Sequence, residues 1–303
     1  MNKKYASIDV GTNSIRCLLA ELEDGKLTKA EKTLEMTRIG EGVNATKMLQ
    51  SERILSSTNA IKKFVDEAKS FRAEDIFIMA TSAVRDAENR AVFLNAVKAA
   101  TGYDIDVISG TQEADIGFKG VMAGAISPEQ TKLVVDIGGG STEFIIGNAK
   151  GILFSKSIDI GAVRMTNMFG SDYRALSSYV DEKLKLVIER VAVEKTFDLV
   201  GIGGTATTFL TMLKKIECYR REWVHNQTIT RSEIEALSEA LHRMPLEDKK
   251  KQVGLDPKRA DIIDAGGVIL SRIMNLIHAE QMTISDYDNL EGYLFYRLDA
   301  LKI

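Results

Sequence analysis

At 303 residues the chain is too long for one ordinary core and suits two domains of roughly 150 residues each. Its 45% hydrophobic and 27% charged residues, with only three prolines, exclude a disordered, fibrous or low-complexity chain. A formal net charge of -3 gives no broad positive field for nucleic acid or an anionic membrane, so any polyanion has to be bound locally.

The N-terminal run, 1–9, carries an acidic residue where a signal peptide would need its apolar stretch, and no later segment reaches about 18 uncharged residues. A soluble, cytoplasmic protein with no membrane partner is therefore expected. The first predicted strand ends at Ile8-Asp9-Val10 and turns through Gly11, Thr12, Asn13 and Ser14 into a second strand, 15–20. The same device returns at Val135-Asp136-Ile137, turning through Gly138, Gly139, Gly140 and Ser141 into 142–146. In both copies Asp, Gly and Ser stand at the first, third and sixth places between apolar runs, which predicts one β-hairpin used twice.

Between the copies, helices and strands alternate. Ser51 is placed to cap a helix whose buried stripe is Ile54, Thr58, Ile61, Val65 and Ala68. A strand over 76–80 comes next, then a helix over 86–100 with Phe93, Leu94 and Val97 inward and Gly102 past its end, then a strand over 105–108. The alternation predicts parallel strands joined by crossover helices. After the second copy the outline repeats, with a strand over 151–159, a long helix over 173–193, a buried strand over 199–202, and Gly203-Gly204-Thr205 turning into a helix over 206–214. Helices over 233–242 and 258–278, a short strand over 282–284 and a last helix over 289–301 complete the chain. Within the helix over 258–278, Gly266-Gly267 is placed to let another backbone come close. A boundary inside 117–128 lets the second hairpin open its own domain. The predicted domains are 1–122 and 123–285, with the C-terminal helix, 286–303, able to rejoin the first.

A strand that ends in Asp-x-Gly and turns through glycines puts backbone N–H groups where they can hold phosphate oxygens without cationic side chains. A single turn of this kind is equally a plain hairpin. Two of them, together with the helix-opening Gly203-Gly204-Thr205, favour a phosphate site. Neither a Gly-x-x-x-x-Gly-Lys-Ser/Thr loop nor a Gly-x-Gly-x-x-Gly turn is present, which removes the commonest competitors. Cys17 and Cys218 fit no disulfide or metal pattern and read as structural, while His225, His242 and His278 lack metal-ligand spacing. Arg164, Lys214, Lys215, Arg220, Arg221 and Lys249-Lys250-Lys251 are candidates for a polyanion track, although such runs are commonly solvated helix faces.

The set Asp9-Gly11, Asp136-Gly138 and Gly201-Gly203-Gly204-Thr205 resembles the phosphate motifs of the actin-like, sugar-kinase and heat-shock-chaperone superfamily. That resemblance implies an α/β fold of two ribonuclease-H-like (actin-like) domains facing an interdomain cleft. The segments Ala80–Asn89, Ile108–Ala114, Val135–Glu143 and Asp256–Asp261 narrow it. Together they resemble the exopolyphosphatase and guanosine pentaphosphate phosphohydrolase family, in matching order from about Tyr5 to the end. The resemblance implies hydrolysis of the terminal phosphate of inorganic polyphosphate or of guanosine pentaphosphate, with Mg2+ or another divalent cation, in a homodimer.

Carried over residue by residue, Glu113 matches the family's catalytic glutamate and would take a proton from water. By itself it reads more readily as a first-turn glutamate favoured by the helix dipole, or as part of a cap around Ser109 and Gln112. Arg85 can grip two oxygens of one phosphate, or pair with Asp86 or Glu88. Asp9, Asp136 and Glu143 are the expected metal ligands, Glu143 also counting as catalytic, while Asp9 and Asp136 can instead simply brace their turns. Gly11, Thr12, Asn13, Ser14, Gly138, Gly139, Gly140, Ser141, Gly203, Gly204 and Thr205 are the expected phosphate binders, with Ser14, Ser141 and Thr205 as hydroxyl donors.

One departure from the family pattern stands near the C-terminus, where Leu290 in Ser285-Asp286-Tyr287-Asp288-Asn289-Leu290-Glu291-Gly292 replaces an arginine of many relatives. The sequence stops soon after this motif, without appended helical domains, so short polyphosphates or nucleotide polyphosphates are expected over very long chains. Two other functions remain open on the sequence: an ATP-dependent small-molecule kinase of the same superfamily, and a non-catalytic guanosine polyphosphate sensor.

Overall fold

The computed structural model describes residues 2–194 and 196–301, so residues 302 and 303 of the expected C-terminal helix lie outside the described set. The chain divides into two compact units, Met1–Gly120 with Asn289–Ile303, and Val121–Asp288.

The first unit runs β1 (Lys3–Val10), β2 (Ile15–Glu23), β3 (Lys26–Glu35), α1 (Val43–Thr46), α2 (Ser51–Phe71), β4 (Asp75–Ala80), α3 (Ser82–Arg85), α4 (Arg90–Thr101), β5 (Asp106–Val107) and most of α5 (Gly110–Gly124), whose last turn, from Val121, is counted with the second unit. Its sheet has the order β3-β2-β1-β4-β5, with β1 antiparallel to β2 and parallel to β4. Both faces of its inner strands β1 and β4 are largely buried. Ile76, Ile78 and Ala80 of β4 join one apolar cluster with Phe64 and Val65 of α2 and Phe93 and Val97 of α4. The alternate residues Phe77 and Met79 join another, as the two-residue side-chain period requires.

The second unit begins with β6 (Lys132–Ile137), β7 (Thr142–Asn148), β8 (Gly151–Ile158), α6 (Ala162–Phe169), α7 (Tyr173–Val191), β9 (Asp198–Ile202) and α8 (Gly203–Leu213). It continues through α9 (Arg221–Val224), β10 (Gln227–Thr230), α10 (Arg231–Arg243), α11 (Leu246–Lys249), a 3-10 turn at Pro257–Arg259, α12 (Ile263–Leu276) and β11 (Gln281–Ile284). The chain then returns to the first unit as α13 (Asn289–Leu301), whose Leu290, Tyr293, Leu294 and Leu298 complete the cluster around Phe77 and Met79. The second sheet has the order β10-β11-β9-β6-β7-β8. Read from β8, the series β8-β7-β6-β9-β11 repeats the order of the first sheet, with β10 added at the edge. This is the ribonuclease-H-like pattern expected from the resemblance, present twice.

Several local expectations are corrected. Ser51 does not cap α2; it is the first helical residue, and the preceding Gln50 makes no side-chain cap bond. The helix expected over 86–100 starts at Arg90, because Asn89 is held by Leu49, donating to Leu49 O at 2.9 Å and accepting from Leu49 N–H at 2.8 Å. The strand expected over 105–108 shrinks to Asp106–Val107. The helix expected over 258–278 is broken, since Asp256 caps a short 3-10 turn and the α-helix begins only at Ile263. Gly266 and Gly267 admit side chains rather than backbone, because a Cβ on either would meet Thr205 or the Phe209 ring of α8. The strand β3 was not anticipated. Its residues alternate no apolar pattern, but the Asp24-Gly25 turn before it, with φ of 49° and 73°, is the usual two-residue hairpin signal.

Candidate active site

In the first unit, β1 delivers the buried Asp9 to the start of the first glycine turn. Gly11 N–H donates to Ser14 O at 3.0 Å and closes the hairpin. A Cβ on Gly11 would lie only 3.1 Å from that carbonyl, so the residue is glycine for closeness. The carbonyls of Thr12 and Asn13 accept from Gly40 N–H and Arg38 N–H, each at 2.9 Å. In a trans peptide the next N–H points opposite to the carbonyl, so the N–H groups of Asn13 and Ser14 are turned to the other side. The Thr12 and Ser82 hydroxyls, 2.9 Å apart, tie the turn to the end of β4. Asp9 Oδ2 is held by Arg16 of β2 at 2.6 and 3.2 Å, and the two residues are direct cross-strand partners.

Glu113 lies in the first turn of α5 and is 7% exposed. The cap of this helix is reciprocal between Ser109 and Gln112, through Ser109 N–H to Gln112 Oε1 at 3.0 Å and Gln112 N–H to Ser109 Oγ at 3.2 Å. Gln112 thus performs the capping that was one reading of Glu113. The Glu113 carboxylate instead accepts from Arg85 Nη1 at 3.1 Å, and the same nitrogen donates to Ile108 O at 3.1 Å. Arg85 Nε also lies 3.7 Å from Asp86. Arg85 therefore links the end of α3 to the start of α5 and fixes the direction of Glu113.

The second unit repeats the turn. Gly138 N–H donates to Ser141 O at 3.0 Å. The carbonyls of Gly138 and Gly139 accept from Ala162 N–H at 2.9 Å and Arg164 N–H at 3.0 Å, and Gly140 O accepts from Arg164 Nε at 2.6 Å. These three carbonyls are drawn to α6, which turns the N–H groups of Gly139, Gly140 and Ser141 the other way. Gly11 and Gly138 were expected to offer their N–H groups to phosphate; in the structure both N–H groups close the hairpins, and the following residues carry the available donors.

Beside this turn, Asp136 and Glu143 are direct partners across β6 and β7, 7% and 1% exposed. Ser157 Oγ donates to Glu143 Oε1 at 2.7 Å. Gly203 opens α8 with φ of 76°, and a Cβ there would collide with Asp136 Oδ1. Thr205 Oγ1 donates to Ile137 O at 3.1 Å, so its only hydroxyl proton is committed and its backbone N–H is what it can offer to phosphate. The first N–H groups of α8, on Gly203, Gly204 and Thr205, have no partner within the helix and carry its positive dipole end. The Arg259 guanidinium occupies the space a Gly204 side chain would fill. Amides, the Arg259 guanidinium and the Asp136 carboxylate thus meet at one helix end, with Glu143 the cross-strand neighbour of Asp136.

The sequence profile described as the Ppx/GppA phosphatase family matches residues 18–301. The chain belongs to this family. It is 30% identical to Exopolyphosphatase 2 of Mycobacterium tuberculosis, over 95% of this chain and 97% of that protein. It is 37% identical to a bifunctional 3-dehydroquinate synthase/phosphatase of Fusobacterium nucleatum, over 95% of this chain but only 45% of the longer protein. A guanosine-5'-triphosphate,3'-diphosphate pyrophosphatase of Vibrio atlanticus is 27% identical, over 98% of this chain and 60% of that protein. The crystal structure of an exopolyphosphatase from Cytophaga hutchinsonii superposes with a TM-score of 0.89 at 26% identity, covering 98% of each chain.

Within this Ppx/GppA chain, Leu290 is fully buried in the cluster with Phe77 and Tyr293, so the position serves the core of the first unit. The candidate polyanion track is largely self-paired. Lys249 meets Asp264 at 3.2 Å, Lys250 meets Glu247 at 2.7 Å, Lys251 meets Asp248 at 3.0 Å and Arg221 meets Asp286 at 2.7 Å. Cys17 is buried, which pushes its thiol up to about 12, and Cys218 is exposed. No helix among the described residues is long and apolar enough to cross a membrane. Sequence reading missed Arg16, Arg259 and the bracing glycines Gly40 and Gly161. The last pair carried a signal: each follows a buried isoleucine, Ile39 or Ile160, after the third strand of its sheet.

Proposed function

We propose that the chain hydrolyses terminal phosphoanhydride bonds, releasing inorganic phosphate from inorganic polyphosphate or guanosine pentaphosphate, with Glu113 as general base. The reading is carried by the convergence at the start of α8 of orphan amides, the Arg259 guanidinium and the Asp136–Glu143 pair. Family membership and the exopolyphosphatase and guanosine pentaphosphatase relatives supply the reaction class.

Phosphate oxygens would be held by the N–H groups of residues 139–141 and 203–205 of the second unit, and the turn of the first unit offers a similar set of donors at Asn13 and Ser14. Glu113 would accept a proton from water as its oxygen bonds to the terminal phosphorus. The bridging P–O bond then breaks, and the shortened polyphosphate leaves with the bonding electrons. Arg85 orients Glu113 and can grip a phosphate oxygen. Because phosphoryl transfer is mostly positioning and charge stabilisation, no protein nucleophile is required.

A divalent cation is part of this proposal. Asp136 and Glu143 lie directly opposite on one sheet face, and hard carboxylate oxygens of this kind suit a divalent cation. Among the described residues no group of three or more His, Cys, Asp or Glu forms a closed metal cage. Asp136 and Glu143 would suit magnesium, which accepts one or two carboxylates and completes its shell with water and phosphate oxygens. When bound, it would neutralise charge on the phosphates. Asp9, held by Arg16, is left out of this ligand set.

The reading is tested by phosphate release, with magnesium, from tripolyphosphate, longer polyphosphates and guanosine pentaphosphate, comparing the native chain with Glu113→Gln. Loss of general-base catalysis predicts a fall of about 10²–10⁴-fold. An unchanged rate removes Glu113 from the chemistry, and no release from any substrate removes the hydrolase reading.

A further inference from the structure

The segment that carries Arg259 is fastened to the very helix whose N-terminus Arg259 covers. Arg259 ends the 3-10 turn Pro257–Arg259, and its guanidinium lies on Gly204 in the first turn of α8. Near the other end of α8, Thr211 Oγ1 donates to Gly254 O at 2.6 Å, the same hydroxyl lying 2.9 Å from Thr208 O. Gly254 has φ of 84°, and a Cβ on it would collide with the Thr211 carbonyl and come within 2.7 Å of Met212 N. Backbone here lies directly on backbone, which only glycine allows. From this clamp the chain runs through the buried Leu255, the Asp256 cap onto Lys258 N–H at 2.9 Å, and Arg259 to the buried Ala260.

We propose that the Thr211–Gly254 clamp is a positioning device for the phosphate site, setting the register of residues 255–259 along α8 so that the guanidinium lands at the helix N-terminus. The proposal rests on the reading of that terminus as the phosphate cradle. A cation delivered there by a loop has many rotamers to lose on binding phosphate; a loop pinned to the same helix has lost them beforehand. Thr211 and Gly254 touch no phosphate in this scheme and act only through Arg259.

The test is calorimetric binding of inorganic tripolyphosphate, with magnesium, to the full chain, with melting temperature followed in parallel. Thr211→Val keeps the side-chain shape and removes the hydroxyl, Thr211→Ser keeps the hydroxyl, and Gly254→Ala forces the loop away. Arg259→Ala is expected to weaken binding by about ten-fold or more, the worth of a charge-assisted hydrogen bond. Gly254→Ala should approach that loss, Thr211→Val should show part of it, and Thr211→Ser should bind as the native chain does. In an Arg259→Ala background, Thr211→Val should weaken binding no further, because coupled residues are non-additive. A purely structural role would lower the melting temperature and leave affinity per folded molecule unchanged, which overturns the proposal. So do losses that multiply in the double variant. If Arg259→Ala itself binds normally, the cradle reading fails first; if Arg259→Ala weakens binding and Gly254→Ala does not, the clamp alone is wrong.

Discussion

The two glycine hairpins share one design and differ at one cross-strand position. Each begins with a buried aspartate, closes through a glycine N–H onto a serine carbonyl at 3.0 Å, and is braced by a segment that opens with Ile-Gly. Opposite Asp9 stands Arg16; opposite Asp136 stands Glu143. In the first hairpin the aspartate is held in an ion pair, which makes the turn a stable strut. In the second, two buried carboxylates share one face, with Glu143 accepting from Ser157, and under the proposed function this pair holds the cation. The two turns share their backbone hydrogen bonds and differ in this opposing residue.

The largest expected effect is on activity in the second hairpin. Glu143→Gln should lower phosphate release by about 10²-fold or more and raise the magnesium needed for half-maximal rate, because a ligand oxygen and its charge are lost. It should change fold stability little, since the amide oxygen can still accept from Ser157. In the first hairpin the opposite pattern is expected. Arg16→Met should lower stability by about 1–3 kcal/mol in denaturant unfolding, as a charged hydrogen-bond partner of buried Asp9 is removed. If Glu143→Gln proved as destabilising as Arg16→Met, the contrast between strut and cation site would be broken.

A smaller effect sharpens the comparison at the braces. Gly161→Ala places a Cβ 2.5 Å from the Gly139 backbone, whereas Gly40→Ala meets mainly the Thr12 side chain. Overpacking of this kind costs about 1–3 kcal/mol. Gly161→Ala should therefore both lower the unfolding midpoint and weaken tripolyphosphate binding, while Gly40→Ala does less of each. Equal effects would mean that the two turns contribute alike to phosphate binding.

Much of the fold was legible because its buried strands are continuous apolar runs and its duplicated Asp-x-Gly turns mark the start of each sheet. The edge strand β3 escaped because both its faces are largely polar, leaving only Asp24-Gly25 to announce it. The helix over 258–278 was overextended because the side chain of Asp256 redirects the backbone locally, which periodicity does not register. In the candidate site, the positions of Glu113 and Arg85 followed from motif and local capping. Their mutual ion pair did not, nor did the pairing of Asp9 with Arg16, since strand register lies beyond local pattern. The proximity of Arg259 to Gly204 joins residues far apart in sequence, and only packing could reveal it.

The division of labour between the hairpins is tested most directly by titrating magnesium into the native chain, Glu143→Gln and Asp9→Asn in a calorimeter, with tripolyphosphate present. The account predicts that Asp9→Asn binds the metal as the native chain does and that Glu143→Gln binds it at least about ten-fold more weakly. Equal weakening in both variants, or native-like binding by Glu143→Gln, would contradict it.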